Sequence, residues 1–335
     1  MLQSNEIFTL SIESSCDDTS AAVLCNDKVL SNIVANQLIH EQYGGVVPEL
    51  ASRAHQQNIV AVVDTALSKS GVTKGQLAAI SFTNGPGLLG SLLVGSSFAK
   101  TMSMGLNIPL LEVNHMQAHV AANYIDAKPN FPFLCLTVSG GHTQIVLVKA
   151  PLEMEVIGQT IDDAVGEAFD KAAKILNLPY PGGPLVDKLA KQGDSKKYTF
   201  PLPALNQYNF TFSGLKTAFL YFISKNSKDS PDFIKSELYN ICASYQKHLV
   251  HYLMKVFLKA AHDLGINELA ISGGVSANSE LRKEMLALQT KGYSIYIPKF
   301  EYCTDNAAMI GIVGYYKYLI GDFSSNSVVP FTRSI

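Results

Sequence analysis

Apolar and β-branched positions fall into short runs near the start of the chain. Ile7-Phe8-Thr9-Leu10-Ser11-Ile12 leads into the polar stretch Glu13-Ser14-Ser15-Cys16-Asp17-Asp18-Thr19-Ser20, Ala21-Ala22-Val23-Leu24 follows, and Lys28-Val29-Leu30-Ser31 opens a third run. That pattern predicts strand, small polar turn, strand and a further strand. The same grammar returns about 125 residues later, in 133–138, 139–144 and 145–148. A second pairing supports duplication. Ala78-Ala79-Ile80-Ser81 passes through Asn84-Gly85-Pro86-Gly87 into a helical run over 88–104, and Leu269-Ala270-Ile271-Ser272 passes through the glycine turn at 273–278 into another over 280–288. Strand, glycine-rich turn and helix is the arrangement that turns backbone N–H groups and a helix N-terminus toward phosphate, although a lone turn of this kind is most often simple punctuation.

Four such turns at matching places in two halves predict an α/β fold of the actin-like, Hsp70 and sugar-kinase kind, with paired hairpin loops facing a cleft. The expected lobes are residues 1–125 and 126–335, the second carrying a helical insertion at about 160–230. Within the insertion, 161–171 has helical spacing with acids on one side, and Tyr180-Pro181-Gly182-Gly183-Pro184 reads as a non-helical turn. Lys188, Lys191, Lys196 and Lys197 form its densest basic cluster, which is either a solvated helix face or an RNA contact. Residues 232–263 read as a long amphipathic core helix, and the small residues after Cys303-Thr304-Asp305-Asn306 as another helix with Asp305 at or near its cap.

Composition narrows the class. With 335 residues, 47% hydrophobic and 16% charged, the chain is expected to be globular and large enough for two cores. The opening residues 1–6 lack the basic region of a secretory leader, and the chain has no uninterrupted apolar run of membrane-spanning length. Five scattered cysteines without a CxxC suit a reducing cytoplasm and speak against a thiolate zinc site. A net charge of −2 gives no global attraction to nucleic acid.

The candidate chemistry centres on His115-Met116-Gln117-Ala118-His119. Leu110-Leu111-Glu112-Val113 reads as a buried strand and Asn114 as the N-cap of a helix, so the two imidazoles, four residues apart, share a face. The positive end of the helix is expected to keep both rings neutral, as metal ligation needs. Two ordinary histidines on a half-buried helix is the alternative. Asp305 would complete a His-His-carboxylate set, or else act only as a helix cap.

These stretches resemble the TsaD family of tRNA threonylcarbamoyladenosine enzymes nearly end to end. The matching segments begin at Glu13-Ser14-Ser15-Cys16-Asp17-Asp18-Thr19, Gly44-Gly45-Val46-Val47-Pro48-Glu49 and Asn84-Gly85-Pro86-Gly87-Leu88. They continue through Asn114–His119, Ser139-Gly140-Gly141-His142-Thr143, Gly166-Glu167-Ala168-Phe169-Asp170-Lys171, the turn at 273–278, and Thr304-Asp305-Asn306-Ala307-Ala308-Met309. The resemblance implies transfer of a threonylcarbamoyl group from threonylcarbamoyl-AMP to the exocyclic amine of the adenosine 3′ of the anticodon, in tRNAs reading codons that begin with A. It implies a metal on His115, His119 and Asp305, iron(II) first and zinc as the alternative. It implies further that the Val138, Ser139, Gly140, Gly141 and His142 loop meets the phosphate, that Asp170, Gly183 and Asp187 hold the ribose side, and that Asn278 holds the nucleotide. No catalytic acid or base is implied, and Asp17 and Asp18 stay without a role. The expected partners are tRNA, a TsaB-like paralogue and a small TsaE-like ATPase, in the cytoplasm and away from membranes. Three rivals weigh less. An actin-like kinase leaves His115 and His119 without work, and a zinc protease, the family's old label, requires Glu where Met116 stands. A non-catalytic scaffold has no use for an intact metal triad.

Overall fold

A computed structural model of the chain describes residues 6–204 and 207–333. The opening segment in which no leader was read, residues 1–5, lies outside them. Contacts divide the chain into two compact units, Met1–Lys128 with Pro151–Glu153 and Pro298–Ile335, and Pro129–Ala150 with Met154–Ile297.

In the first unit, β1 (Phe8–Glu13), β2 (Thr19–Cys25) and β3 (Lys28–Ala35) form a meander. Helix α1 (Pro48–Ser70) then leads to β4 (Leu77–Gly85), α2 (Leu89–Leu106) and β5 (Leu110–Asn114). The sheet order is β3-β2-β1-β4-β5, with β1 antiparallel to β2 and parallel to β4. Two short helices follow, α3 (His115–Ala121) and α4 (Asn123–Asp126). Leu10, Ile12, Val23, Ile80 and Phe82 of the sheet pack with Ile59, Val62, Val63 and Ala66 of α1 in one buried cluster. β1 and β4 are buried on both faces, as central strands flanked by helices are, so that even Thr9 and Ser11 of β1 lie inside the protein.

The second unit repeats the plan. It comprises β6 (Phe133–Val138), β7 (Thr143–Ala150), β8 (Glu153–Gln159), α5 (Val165–Ile175), α6 (Gly182–Ala190), α7 (Ser213–Asp229) and α8 (Phe233–Leu264). The segment continues through β9 (Glu268–Ser272), α9 (Ser279–Ala287) and β10 (Ser294–Tyr296). Its sheet runs β8-β7-β6-β9-β10 when read from β8, so each strand has a counterpart in the first sheet. Where the first unit has α1 between its third and fourth strands, the second has α5–α8, and α5, α6 and α7 fall in the expected insertion.

Two expectations are corrected. Residues 180–184 are not all turn: α6 begins at Gly182 and includes Pro184. Proline is tolerated in the first turn of a helix because its missing N–H has no intrahelical acceptor there. The second lobe, moreover, does not reach the chain end, since Pro298–Ile335 belongs to the first unit. The last helix, α10 (Ala307–Leu319), carries glycines that let it sit against the first sheet. A Cβ at Gly314 would stand 2.6 Å from Ser81 Cβ, and one at Gly311 2.5 Å from Ser11 Oγ. This close seating brings Asp305, just ahead of α10, to the ends of the first sheet's strands.

Candidate functional site

The β5–α3 junction forms as the sequence predicts. The Asn114 side chain accepts hydrogen bonds from the N–H groups of Met116 (2.9 Å) and Gln117 (3.2 Å), capping α3. His115 and His119 then lie one turn apart, with ring centroids 4.6 Å apart and planes at 80°. Both are buried. The cap of α10 is not Asp305 but Asn306, whose side chain accepts from Met309 N–H at 3.1 Å. Asp305 is thus spared the capping role that was its ordinary explanation. Its Oδ1 lies 3.2 Å from His119 Nε2 and 3.5 Å from His115 Nε2.

One ligand atom from each of these three residues lies within 4.8 Å of the other two. Atoms bound at about 2.1 Å to one divalent ion stand roughly 3.0–3.4 Å apart in octahedral or tetrahedral arrangement, and the two carboxylate–imidazole distances, 3.2 and 3.5 Å, come close to that. The donor set, two imidazoles and a carboxylate, suits iron(II) or zinc better than magnesium or calcium. His115, His119 and Asp305 can therefore hold a divalent transition metal.

Electrostatics modify one expectation. Burial disfavours charge on His115, but the carboxylates of Asp305 and Glu13 outweigh it and raise the imidazole to about 9. The helix end does not keep this ring neutral. A helix terminus contributes about half a charge, whereas two full negative charges stand close by. Holding a metal there would require His115 to give up that proton. Burial works against charge on Glu13 as well, yet the facing His115 holds the carboxyl below its ordinary value. Asp18 is pushed up to about 7 by burial and by its neighbours Asp17, Asp305 and Glu13. The thiol of Cys16 is pushed up by burial, with Asp305 and Asp17 adding to it, so it is not a ready nucleophile.

Glu13 is the site residue that sequence reasoning missed. It is fully buried at the end of β1, and its Oε2 lies 3.1 Å from His115 Nδ1. The available signal was a carboxylate closing an otherwise uncharged strand, since such a group is almost never fully buried without a partner.

The glycine turn of the second unit is tighter than the sequence suggests. Ser139 N–H donates to His142 O (2.8 Å), and His142 N–H donates to Ser139 Oγ (3.1 Å). Val138 and Thr143 pair as the last rung of β6 and β7. Only Gly140 and Gly141 keep N–H groups without a hydrogen bond among the described residues. The turn is clamped from both sides. Gly166 N–H donates to Ser139 O at 3.2 Å, and a Cβ there would press within 2.5 Å of that oxygen. Gly273, at φ +84°, abuts the Val138 carbonyl, a backbone conformation and approach open to glycine.

The remaining predicted residues also sit in this unit, each with a local partner. Asp170 Oδ1 accepts from the N–H groups of Gly182 (2.8 Å) and Gly183 (3.1 Å) at the start of α6. Burial raises the Asp170 carboxyl despite those two donors. Asp187 Oδ1 accepts from Ser279 N–H (3.1 Å) and Ser279 Oγ (2.6 Å). Asn278 caps α9 through Glu280 and Leu281 N–H, and its amide donates to Gln246 Oε1 at 2.9 Å. Of the basic cluster, Lys197 pairs with Glu237 at 2.7 Å and Lys191 approaches Asp187 at 3.6 Å, which halves its free charge.

The family model of TsaD, tRNA N6-adenosine threonylcarbamoyltransferase, matches residues 28–312. A tRNA N6-adenosine threonylcarbamoyltransferase of Christiangramia forsetii is 59% identical over 99% of this chain and 99% of that protein. One from Cytophaga hutchinsonii is 56% identical, covering 99% and 97%. Among solved structures, full-length HypF superposes with a TM-score of 0.62 at 14% identity, over 95% of this chain and 47% of that one. Component A of (R)-2-hydroxyglutaryl-CoA dehydratase from Acidaminococcus fermentans gives 0.52 at 16%, over 93% and 99%. These likenesses show the fold, which is the duplicated actin-like one. No helix among the described residues is long and apolar enough to cross a membrane. On sequence and fold together, the chain belongs to the TsaD family of tRNA N6-adenosine threonylcarbamoyltransferases.

Proposed function

We propose that this chain transfers the threonylcarbamoyl group of threonylcarbamoyl-AMP to the exocyclic amine of the adenosine 3′-adjacent to the anticodon, in tRNAs reading codons that begin with A, with release of AMP. The observation that carries the reading is the convergence of His115, His119 and Asp305 in a chain this close to its relatives. An aromatic exocyclic amine is a weak nucleophile, so the acyl carbonyl must be polarised and both reactants held in line. A metal on the three ligands, iron(II) by preference and zinc as the alternative, supplies Lewis acidity when bound. The Gly140 and Gly141 N–H groups are the free donors of the β6–β7 turn and suit an adenylate phosphate. Val138, Ser139 and His142 shape that turn, Asp170, Gly183 and Asp187 take the ribose side, and Asn278 the nucleotide.

A tRNA substrate calls for help with docking. The chain's net charge is −2, and two of the four lysines at 188–197 already face carboxylates. We therefore assign a TsaB-like paralogue and a TsaE-like ATPase as partners, in the cytoplasm. The test is reconstitution: purified chain, both partners, threonylcarbamoyl-AMP and tRNA transcripts, with the nucleosides analysed after digestion. Threonylcarbamoyladenosine should form only where the transcript keeps the adenosine 3′ of the anticodon. The chain alone should give little. Absence of product from the complete mixture refutes the activity, and rapid turnover by the chain alone refutes the need for partners.

Gly141→Val tests the phosphate turn. A Cβ at Gly141 meets nothing within 4 Å, so the substitution should leave the melting temperature nearly unchanged. If a phosphate rests on that backbone, adenylate affinity should fall about tenfold or more by calorimetry. Equal affinity in the variant places the nucleotide elsewhere.

A further inference from the structure

We propose that Glu13 is a positioning residue for the metal centre, fixing His115 in the tautomer whose Nε2 lone pair faces Asp305 and His119. The inference rests on the metal reading above. Both oxygens of Glu13 are engaged inside the protein: Ser15 N–H donates to Oε1 at 2.5 Å and Thr83 Oγ1 donates to Oε2 at 2.5 Å. The third neighbour is His115 Nδ1, 3.1 Å from Oε2. An ionised carboxylate only accepts, so Nδ1 must carry the hydrogen. Ser15 Oγ, 3.2 Å from the same nitrogen, then stands as a second acceptor for it.

Once Nε2 gives up its proton, as metal ligation requires, the one remaining N–H is on Nδ1 and the lone pair is on Nε2, the atom aimed at Asp305 Oδ1. The opposite tautomer would set a nitrogen lone pair against a buried carboxylate and point an N–H into the ligand cluster. A purely structural Glu13, tying β1 to β4 and to the turn after it, needs only Ser15 and Thr83. The His115 contact is what that role leaves unexplained. His119 provides the contrast, since its Nδ1 has no hydrogen-bond partner among the described residues. The protein thus orients one ligand by a hydrogen bond and the other by packing. Carboxylate partners of this kind raise ligand basicity and hold ring orientation at metal sites.

Glu13→Gln is the direct test. A glutamine has one oxygen and one NH₂, so however it is seated, a donor faces a donor at Ser15 or the amide opposes His115 Nδ1–H. Zinc and iron(II) affinity, measured by competition with a chromophoric chelator, should fall ten- to hundredfold. The control is Thr83→Val, which removes one of Glu13's donors and spares the histidine contact. It should lower the melting temperature in chelator while changing metal affinity less than about threefold. A measurement on the unaltered protein guards against a variant that fails to fold. With zinc bound and ¹⁵N label, His115 should show a proton on Nδ1 and metal on Nε2. Zinc on Nδ1, or unchanged affinity in a folded Glu13→Gln, overturns the inference while the metal site stands. Failure of the unaltered protein to bind either ion overturns the metal reading, and this inference with it.

Discussion

His119→Ala is expected to lower divalent-metal affinity by at least about a hundredfold and to remove most threonylcarbamoyl transfer, while the fold survives. In the proposed metal site His119 is one of three ligands, and replacement of even an outer partner of a ligand commonly costs ten- to a hundredfold in affinity or activity. Loss of the ligand itself should cost more. The structural penalty is bounded, because α3 is capped by Asn114 rather than by either histidine. Emptying the volume of a side chain that is 1% exposed costs on the order of 2 kcal/mol. The two effects separate by experiment. Metal content after dialysis should drop to background, whereas circular dichroism in chelator should match the parent apart from a melting shift of a few degrees. A His119→Ala protein that retains its metal rules out this nitrogen as a ligand.

Much of this site was legible because its signals are local. Asn114 before His115 is a capping position followed at once by helical periodicity, and the four-residue spacing puts both rings on one side whatever the rest of the chain does. The hairpins at 8–25 and 133–150 were equally plain from short apolar and β-branched runs and small polar turns. What was hidden depends on contacts distant in sequence. Glu13 meets His115 across 102 residues, and nothing in the first hairpin announces that partner. The joining of Pro298–Ile335 to the first unit depends on Gly311 and Gly314 meeting Ser11 and Ser81. Small residues in a helix carry no statement of what they pack against. The start of α6 was misread because Gly-Gly-Pro is turn chemistry in isolation. Here Asp170 accepts the two glycine N–H groups and makes the same residues a helix start.

The neutral-ring expectation failed for a related reason. Helix-end charge can be read from sequence, but the identity of the acids opposite His115 cannot. With Asp305 and Glu13 in place, those acids decide its ionisation. The number of free N–H groups in the 139–142 turn was likewise beyond local reading, because it depends on which donors the turn uses to close on itself.

Asp305→Asn separates ligand from bystander with one nearly isosteric change. Had Asp305 been the cap of α10, asparagine would have replaced it at little cost, since the two cap about equally well. Asn306 holds that position, so the change should leave the helix intact on either view. As a ligand, Asp305 brings the only negative charge among the three donors, and a neutral amide in its place should weaken a divalent ion by about a hundredfold or more. Transfer in the reconstituted system should fall in parallel. Stability in chelator has its own signature. Asp305 helps raise His115 to about 9, above the ordinary histidine value of 6.5. A raised histidine pKa contributes stability that is fully present below about 6.5 and is lost as the pH climbs through about 9. The variant should therefore melt slightly below the parent at pH 7, with the gap closing by pH 10. The Asp305 side chain is 25% exposed, which keeps that gap small. A variant that keeps both metal and transfer at parental levels places the third ligand on another residue and removes Asp305 from the chemistry.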